Sequence, residues 1–259
     1  MTSYWISLFL VGGCVASLAN LLARRLRLMA VVDLIWTAGV GIAAFVYLWV
    51  HALFTLQAYL VLAVLGLWSA RLTYHLLRDR VLRGEEDPRY ANLARHWGAS
   101  APRNFYFLFL AQVPFIALFV FPVSIGMRGG NIGVWDVVAV VIAMLALLGE
   151  SIADRQLARF RADPDRRKGV CRDGLWRYSR HPNYFFEWLH WWAYVCFAIG
   201  SASWALSLVG PLAMYIFLRF LTGVPHAERS SLASRGEAYR SYQQSTNAFF
   251  PWKPHPPKP

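Results

Sequence analysis

Leu175-Trp176-Arg177-Tyr178-Ser179-Arg180-His181-Pro182-Asn183-Tyr184, running without a break into the apolar stretch from Phe185 to Gly200, is the segment whose reading decides the fold. Proline fixes φ near its helical value and lacks the N–H that a first turn leaves unbonded, so Pro182 marks a helix start. Behind it the chain is apolar for long enough to cross a bilayer. In front of it stand two arginines, a histidine and a phenol, with the amide of Asn183 in the first turn. The positive end of a helix dipole at such a cluster makes a site for an anion.

Working outward, the composition agrees with a membrane protein: 57% of the 259 residues are hydrophobic, more than the core of a soluble domain requires. Apolar runs able to cross about 30 Å of hydrocarbon lie at 4–22, 29–50, 53–77, 104–125, 132–152, 183–199 and 203–221. The expected fold is therefore all-α: one integral membrane domain over 1–259 with seven transmembrane helices. Arginine and lysine accumulate in cytoplasmic loops. With the N-terminus outside and the C-terminus cytoplasmic, every basic residue except Arg128 falls on the inner face. The net charge of +12 then faces anionic lipid headgroups or an anionic ligand rather than nucleic acid. The first apolar run has no basic region ahead of it and is expected to stay as helix 1 instead of being cleaved. Cys14, Cys171 and Cys196 are three in number and suggest no disulfide framework.

Several motifs carry competing readings. Gly39-Val40-Gly41-Ile42-Ala43-Ala44 spells GxGxxA, but it lies inside an apolar span with no strand before it, so its glycines are expected to serve helix packing. On helix 5, Glu150, Asp154 and Arg161 share one stripe leading out of the membrane. On helix 6, Asn183, Glu187, His190 and Trp191 share one face, and Glu187 stands a full turn inside the helix, where an ionisable group is costly without a purpose or a partner. Asp33 and, one turn later, Trp36 lie near the inner end of helix 2. Asp33 reads either as a headgroup-level carboxylate near Arg27 or as a proton donor. The loop Arg78 to Trp97 is charge-balanced and solvated, or else uses Arg83, Arg89 and Tyr90 to hold a phosphate and a flat ring. His226, Glu228, Arg229, Tyr239, Arg240 and Tyr242 form an amphipathic basic helix that ends at Phe249-Phe250-Pro251-Trp252 and suits the membrane interface. The histidines are scattered without HxxHH or HExxH spacing, so no metal site is expected.

The pattern Gly174-Leu175-Trp176-Arg177-Tyr178-Ser179-Arg180-His181-Pro182-Asn183-Tyr184, with Glu187 and Trp191 behind it, resembles the C-terminal region of the steroid 5α-reductase family, especially its bacterial branch. The resemblance runs from about Glu150 to Trp252. Its Arg-His-Pro-x-Tyr core is also shared with isoprenylcysteine carboxyl methyltransferases. The reductase resemblance implies an NADPH site made by Asp154, Arg161, Arg172, Tyr178, Arg180, His181, Asn183, Glu187, Trp191 and His226 on the cytoplasmic side of a bacterial inner membrane. It implies a substrate cavity among helices 1 to 4, with Asp33 in the place of a family glutamate that grips the substrate carbonyl. Where the family has a tyrosine on helix 3 this chain has Trp68, with Tyr74 one turn after Arg71 as a substitute, and Trp36 and Trp68 become substrate-binding candidates. The implied reaction is hydride transfer to the β-carbon of a lipophilic enone, a 3-oxo-Δ4 steroid being the first expectation. Arginine suits a dinucleotide with its several phosphates better than it suits S-adenosylmethionine, which has none, so methyl transfer is the runner-up. A non-catalytic lipid-binding protein is the third reading.

Overall fold

The computed structural model describes residues 2–84 and 86–255. Among them there is no strand, and the chain divides into two compact units. Unit 1 is Met1–Gly133 with Phe197–Ser207, and unit 2 is Val134–Cys196 with Leu208–Pro259.

In unit 1, α1 (Thr2–Leu26), α2 (Val31–Val50) and α3 (Leu56–Leu76) are followed by a π-helical turn, Leu77–Val81. Three shorter helices follow: α4 (Pro88–Trp97), α5 (Ala101–Leu110) and α6 (Gln112–Gly126). Their starts are chemically specified. The Thr55 hydroxyl accepts from the Ala58 N–H at 3.2 Å, and Asp87 caps α4 from Arg89 N–H at 2.8 Å with Pro88 in the first turn. Gly39 lies against Ile116 of α6 and Gly41 against Ser69 of α3, so a methyl group at either would collide with the neighbouring helix. The GxGxxA segment thus serves close helix packing inside α2. Arg128, just after α6, donates to the buried Tyr47 hydroxyl, whose ring stacks on His51 at 4.2 Å between centroids.

Unit 2 is built from α7 (Val134–Ala162), α8 (Pro182–Ala198), α9 (Val209–Ile216) and α10 (Val224–Ser245). Gly149 makes room for the Phe186 ring, which lets α7 and α8 approach closely. A second π-helical turn, Phe217–Leu221, follows α9, and α10 kinks at Gly236, where φ is +50°.

Six helical stretches are long and apolar enough to cross a membrane: Thr2–Leu26, Val31–Val50, Leu56–Val81, Pro88–Gly126, Val134–Ala162 and Trp204–Ser245. Leu10, Val11, Leu18 and Leu21 on α1 and Val137, Val141, Leu145 and Leu148 on α7 are exposed, as lipid-facing residues must be. Two expected spans differ in form. The run 104–125 is two helices, α5 and α6, within a longer helical stretch, and the run 203–221 is a 3₁₀ turn, α9 and a π turn in succession. The Gly210-Pro211 pair accounts in part for the latter, since proline removes a ladder hydrogen bond. The expected sixth span is α8, with 17 residues.

Candidate functional site

The segment from Gly174 to Asn183 owes its shape to anchors at both ends. Gly174 adopts φ +53°, a conformation glycine enters without steric cost, and the Gln156 side chain fills the space a Cβ would need. Gln156 Oε1 accepts from the Leu175 N–H at 3.0 Å, and Trp176 Nε1 donates to the Ala153 carbonyl at 2.9 Å, so the 3₁₀ turn Gly174–Arg177 is bolted to α7. From the other side the chain's last described stretch straps across it. Arg180 N–H donates to the Asn247 carbonyl at 2.9 Å, Ser179 Oγ to the Phe249 carbonyl at 2.8 Å, and Trp252 N–H to the Tyr178 carbonyl at 3.0 Å. Tyr242, buried on α10, donates its hydroxyl to the Trp176 carbonyl.

Two sets of charges in unit 2 stand out. Arg180 Nε donates to Glu228 Oε1 at 2.6 Å, and His181 Nε2 lies 3.4 Å from the same oxygen. Burial pushes His181 below its ordinary value, and the neighbouring Glu228 offsets this only in part. Exposed Arg166 and Arg240 likewise have acids, Asp173 and Glu237. Arg161, Arg172 and Arg235 form the second group, and among the described residues none of them has a carboxylate within ion-pair distance. Arg172 lies over the Tyr242 ring at 5.3 Å. Arg235 is held by the Gly169 carbonyl at 2.7 Å from Nε, and its charge acts repulsively on Arg161. Asp154 attracts Arg161 more weakly and accepts from Asn183 Nδ2 at 3.2 Å, which ties the first turn of α8 to α7. Guanidiniums grouped without a counter-ion are the donor set that phosphate oxygens require.

Deeper along α8, buried Glu187 accepts from Trp191 Nε1 at 3.2 Å, and His190 Nε2 lies 2.8 Å from the Tyr194 hydroxyl. His226 stands in the first turn of α10. Tyr178 is exposed and lines a cleft with Pro251, Trp252 and Lys253.

In unit 1, Asp33 is an acceptor on every side. Arg80 and Arg89 donate to Oδ2, the latter at 2.7 Å, and Tyr90 donates to Oδ1 at 2.6 Å. Asp87 completes this knot with contacts to both arginines. Burial alone would raise the Asp87 carboxyl, but the Arg89 hydrogen bond and charge, with Arg80 behind, hold it below the usual carboxylate range. The Glu86 carboxylate accepts from the Met29 and Ala30 N–H groups just ahead of α2. The loop read as a phosphate clamp is therefore occupied internally: Arg89 and Tyr90 are committed to Asp33. Trp36 and Trp68 meet edge to face at 5.6 Å, and Trp68 is fully buried. Tyr74 is exposed and lines a groove of about 560 Å³ between α2 and α3, along with Ser69 and Thr73. The Thr73 and Thr37 hydroxyls are 2.9 Å apart.

The structure thus brings Asp154, Asn183, Arg161 and Arg172 to one end of unit 2, with Arg180 and His181 in an ion-paired group beside them. Sequence reading had not singled out Arg235 as a site residue, nor Glu228 and Tyr242 as the fastenings of the motif. The three-residue spacing of Tyr239 and Tyr242 on an otherwise polar helix was the available sign.

No solved structure matches the chain. An uncharacterized protein of Schizosaccharomyces pombe, C594.04c, is 31% identical over 215 residues, covering 71% of this chain and 60% of that protein's length. Residues 19–246, which include every helix-borne element of both sites, match the family described as "Protein of unknown function (DUF1295)", and the chain belongs to that family.

Proposed function

We propose that this protein is a membrane reductase that uses NADPH to saturate the C=C bond of a lipophilic enone, with 3-oxo-Δ4 steroids as the first class to test. One observation carries the reading: Arg161, Arg172 and Arg235 lie near the Asp154–Asn183 bridge without carboxylate partners, whereas Arg166, Arg180 and Arg240 are each paired with an acid. A ligand with several phosphates offsets that unneutralised charge, and the donor set fits it. Arg161, Arg172 and Arg235 would hold phosphates, with Asn183 and Asp154 fixing their surroundings; Glu187 and Trp191 form the apolar-side wall.

When bound, the cofactor supplies a hydride to the β-carbon of the acceptor. The chain's own task is then to stabilise negative charge arriving on the ketone oxygen, which a hydroxyl donor does best if its hydrogen bond strengthens as the enolate forms. Tyr74 has an exposed hydroxyl at an apolar groove, with the Arg78 guanidinium as a neighbour, and takes this role. Asp33, engaged by three donors, acts through them as a positioning residue for the loop before α4. In this reading all seven apolar runs cross the membrane, the N-terminus is outside, and the basic end of unit 2 faces the cytoplasm, following the distribution of arginine.

The test is equilibrium binding of radiolabelled NADPH and S-adenosylmethionine to the purified full-length chain in mild detergent. NADPH is expected to bind, and Arg172→Ala to weaken it by about tenfold, the worth of one charge-assisted hydrogen bond. Tyr74→Phe is expected to lower turnover of an enone with the NADPH affinity unchanged. Retention of S-adenosylmethionine without NADPH overturns the reductase reading in favour of methyl transfer.

A further inference from the structure

Tyr178 and Trp252 wall a cleft of about 450 Å³, completed by Pro251 and Lys253. Its size lies in the range of small-molecule sites. The walls are set by two main-chain bonds, Trp252 N–H on the Tyr178 carbonyl and His255 N–H on the Ser245 carbonyl at 2.8 Å, and by the Ser179 hydroxyl on the Phe249 carbonyl. The two aromatic rings are exposed and make no ring contact with each other or with any other described residue. The rings just before them in the strap behave differently. Phe249 and Phe250 pack against Phe185, Trp188 and Tyr215 at centroid distances of 5.2 to 6.2 Å. Two exposed aromatic side chains on segments joined by a backbone hydrogen bond, with an ammonium beside them, suit a flat heterocycle that carries ring nitrogens and a nearby negative charge.

We infer that this cleft receives the adenine ring of a nucleotide, stacked between Tyr178 and Trp252 with Lys253 at its edge. The inference rests on the nucleotide reading above and adds to it a subsite and a residue class, the Pro251-Trp252-Lys253 strap. Adenine is favoured over nicotinamide because the cleft is exposed, whereas the hydride-donating ring must reach an apolar acceptor. Tyr178 belongs to the same short loop as Arg172 and Asn183, so one ligand can engage both places through its ribose and phosphates.

The experiment is calorimetric titration of the full-length protein in detergent with NADPH and, separately, with adenosine 2′,5′-bisphosphate and nicotinamide mononucleotide. Trp252→Ala is expected to weaken the adenosine compound by about tenfold, in the range of one base–aromatic stack, and to leave the nicotinamide fragment unchanged. Trp252→Phe is expected to keep most of the affinity. Equal affinity of wild type and Trp252→Ala for the adenosine compound, with NADPH still bound by both, overturns the cleft assignment and spares the nucleotide reading. Absence of NADPH binding in wild type overturns the nucleotide reading itself. A variant that loses both fragments alike and no longer partitions into anionic vesicles identifies Trp252 as an interfacial anchor, which also overturns the assignment.

Discussion

Arg180 shows how a single side chain converts a sequence motif into a fixed surface. Only 10% of it is exposed, it is paired with Glu228, and its Nη1 also donates to the carbonyls of Gln243, at 3.0 Å, and Thr246. One guanidinium therefore fastens the loop ahead of α8 to the end of α10. Removing the carboxylate strands a largely buried charge, which costs more than the pair itself contributes. Glu228→Gln is accordingly expected to lower stability by about 3 kcal/mol, the low end for breaking a buried pair because both side chains keep some contact with water. The double change Arg180→Gln with Glu228→Gln should recover part of that loss, as measured by thermal unfolding in detergent. The motif's cations had a joint reading in the sequence as anion ligands. Arg180 and its acid are 48 residues apart, so only folding could reveal that this arginine is already committed, while Arg161 and Arg172 are not.

At the scale of the element, the turn Gly174–Arg177 depends on one conformation. A side chain at Gly174 is strained at φ +53° by about 1 kcal/mol and also evicts Gln156 from its bond to Leu175, worth about another 1 kcal/mol. Gly174→Ala is thus expected to destabilise the protein by about 2 kcal/mol, and hydrogen exchange should quicken first at the Leu175 and Trp176 amides. A change confined to distant amides would remove Gly174 from this role. The start of α8 was legible from Pro182 alone, because proline restricts its own φ whatever surrounds it. The end of α7 was legible only in part: the apolar run stops at 152, but ten further residues, half of them polar or charged, remain helical through Ala162, in line with the stripe of Glu150, Asp154 and Arg161. Hydropathy marks where lipid ends, whereas the helix persists because Ala153, Gln156 and Phe160 pack against the Trp176 and Cys171 loop.

For the whole molecule, the number of crossings decides which faces the sites share. At about 1.5 Å per residue, the 17 residues of α8 span roughly 25 Å, within the shorter limit for a transmembrane helix. If α8 crosses, the crossings number seven and the termini lie on opposite sides. In a chain whose native cysteines are replaced, a cysteine at Thr2 should react with a membrane-impermeant thiol reagent on intact cells, and one at Ser234 only after permeabilisation. Labelling of both from one side would mean six crossings. The sequence by itself determined that the chain is helical and apolar enough for a membrane, that Gly39 and Gly41 lie inside a helix, and where the anion-seeking residues cluster. These follow from local properties: transfer free energy, backbone restriction and charge sign. Only the tertiary structure decided which of those charges are spent. Asp33 is held by Arg80, Arg89 and Tyr90, Arg180 is held by Glu228, and Arg161, Arg172 and Arg235 are left over, because a charge's availability depends on partners that the chain brings together from 47 or more residues away.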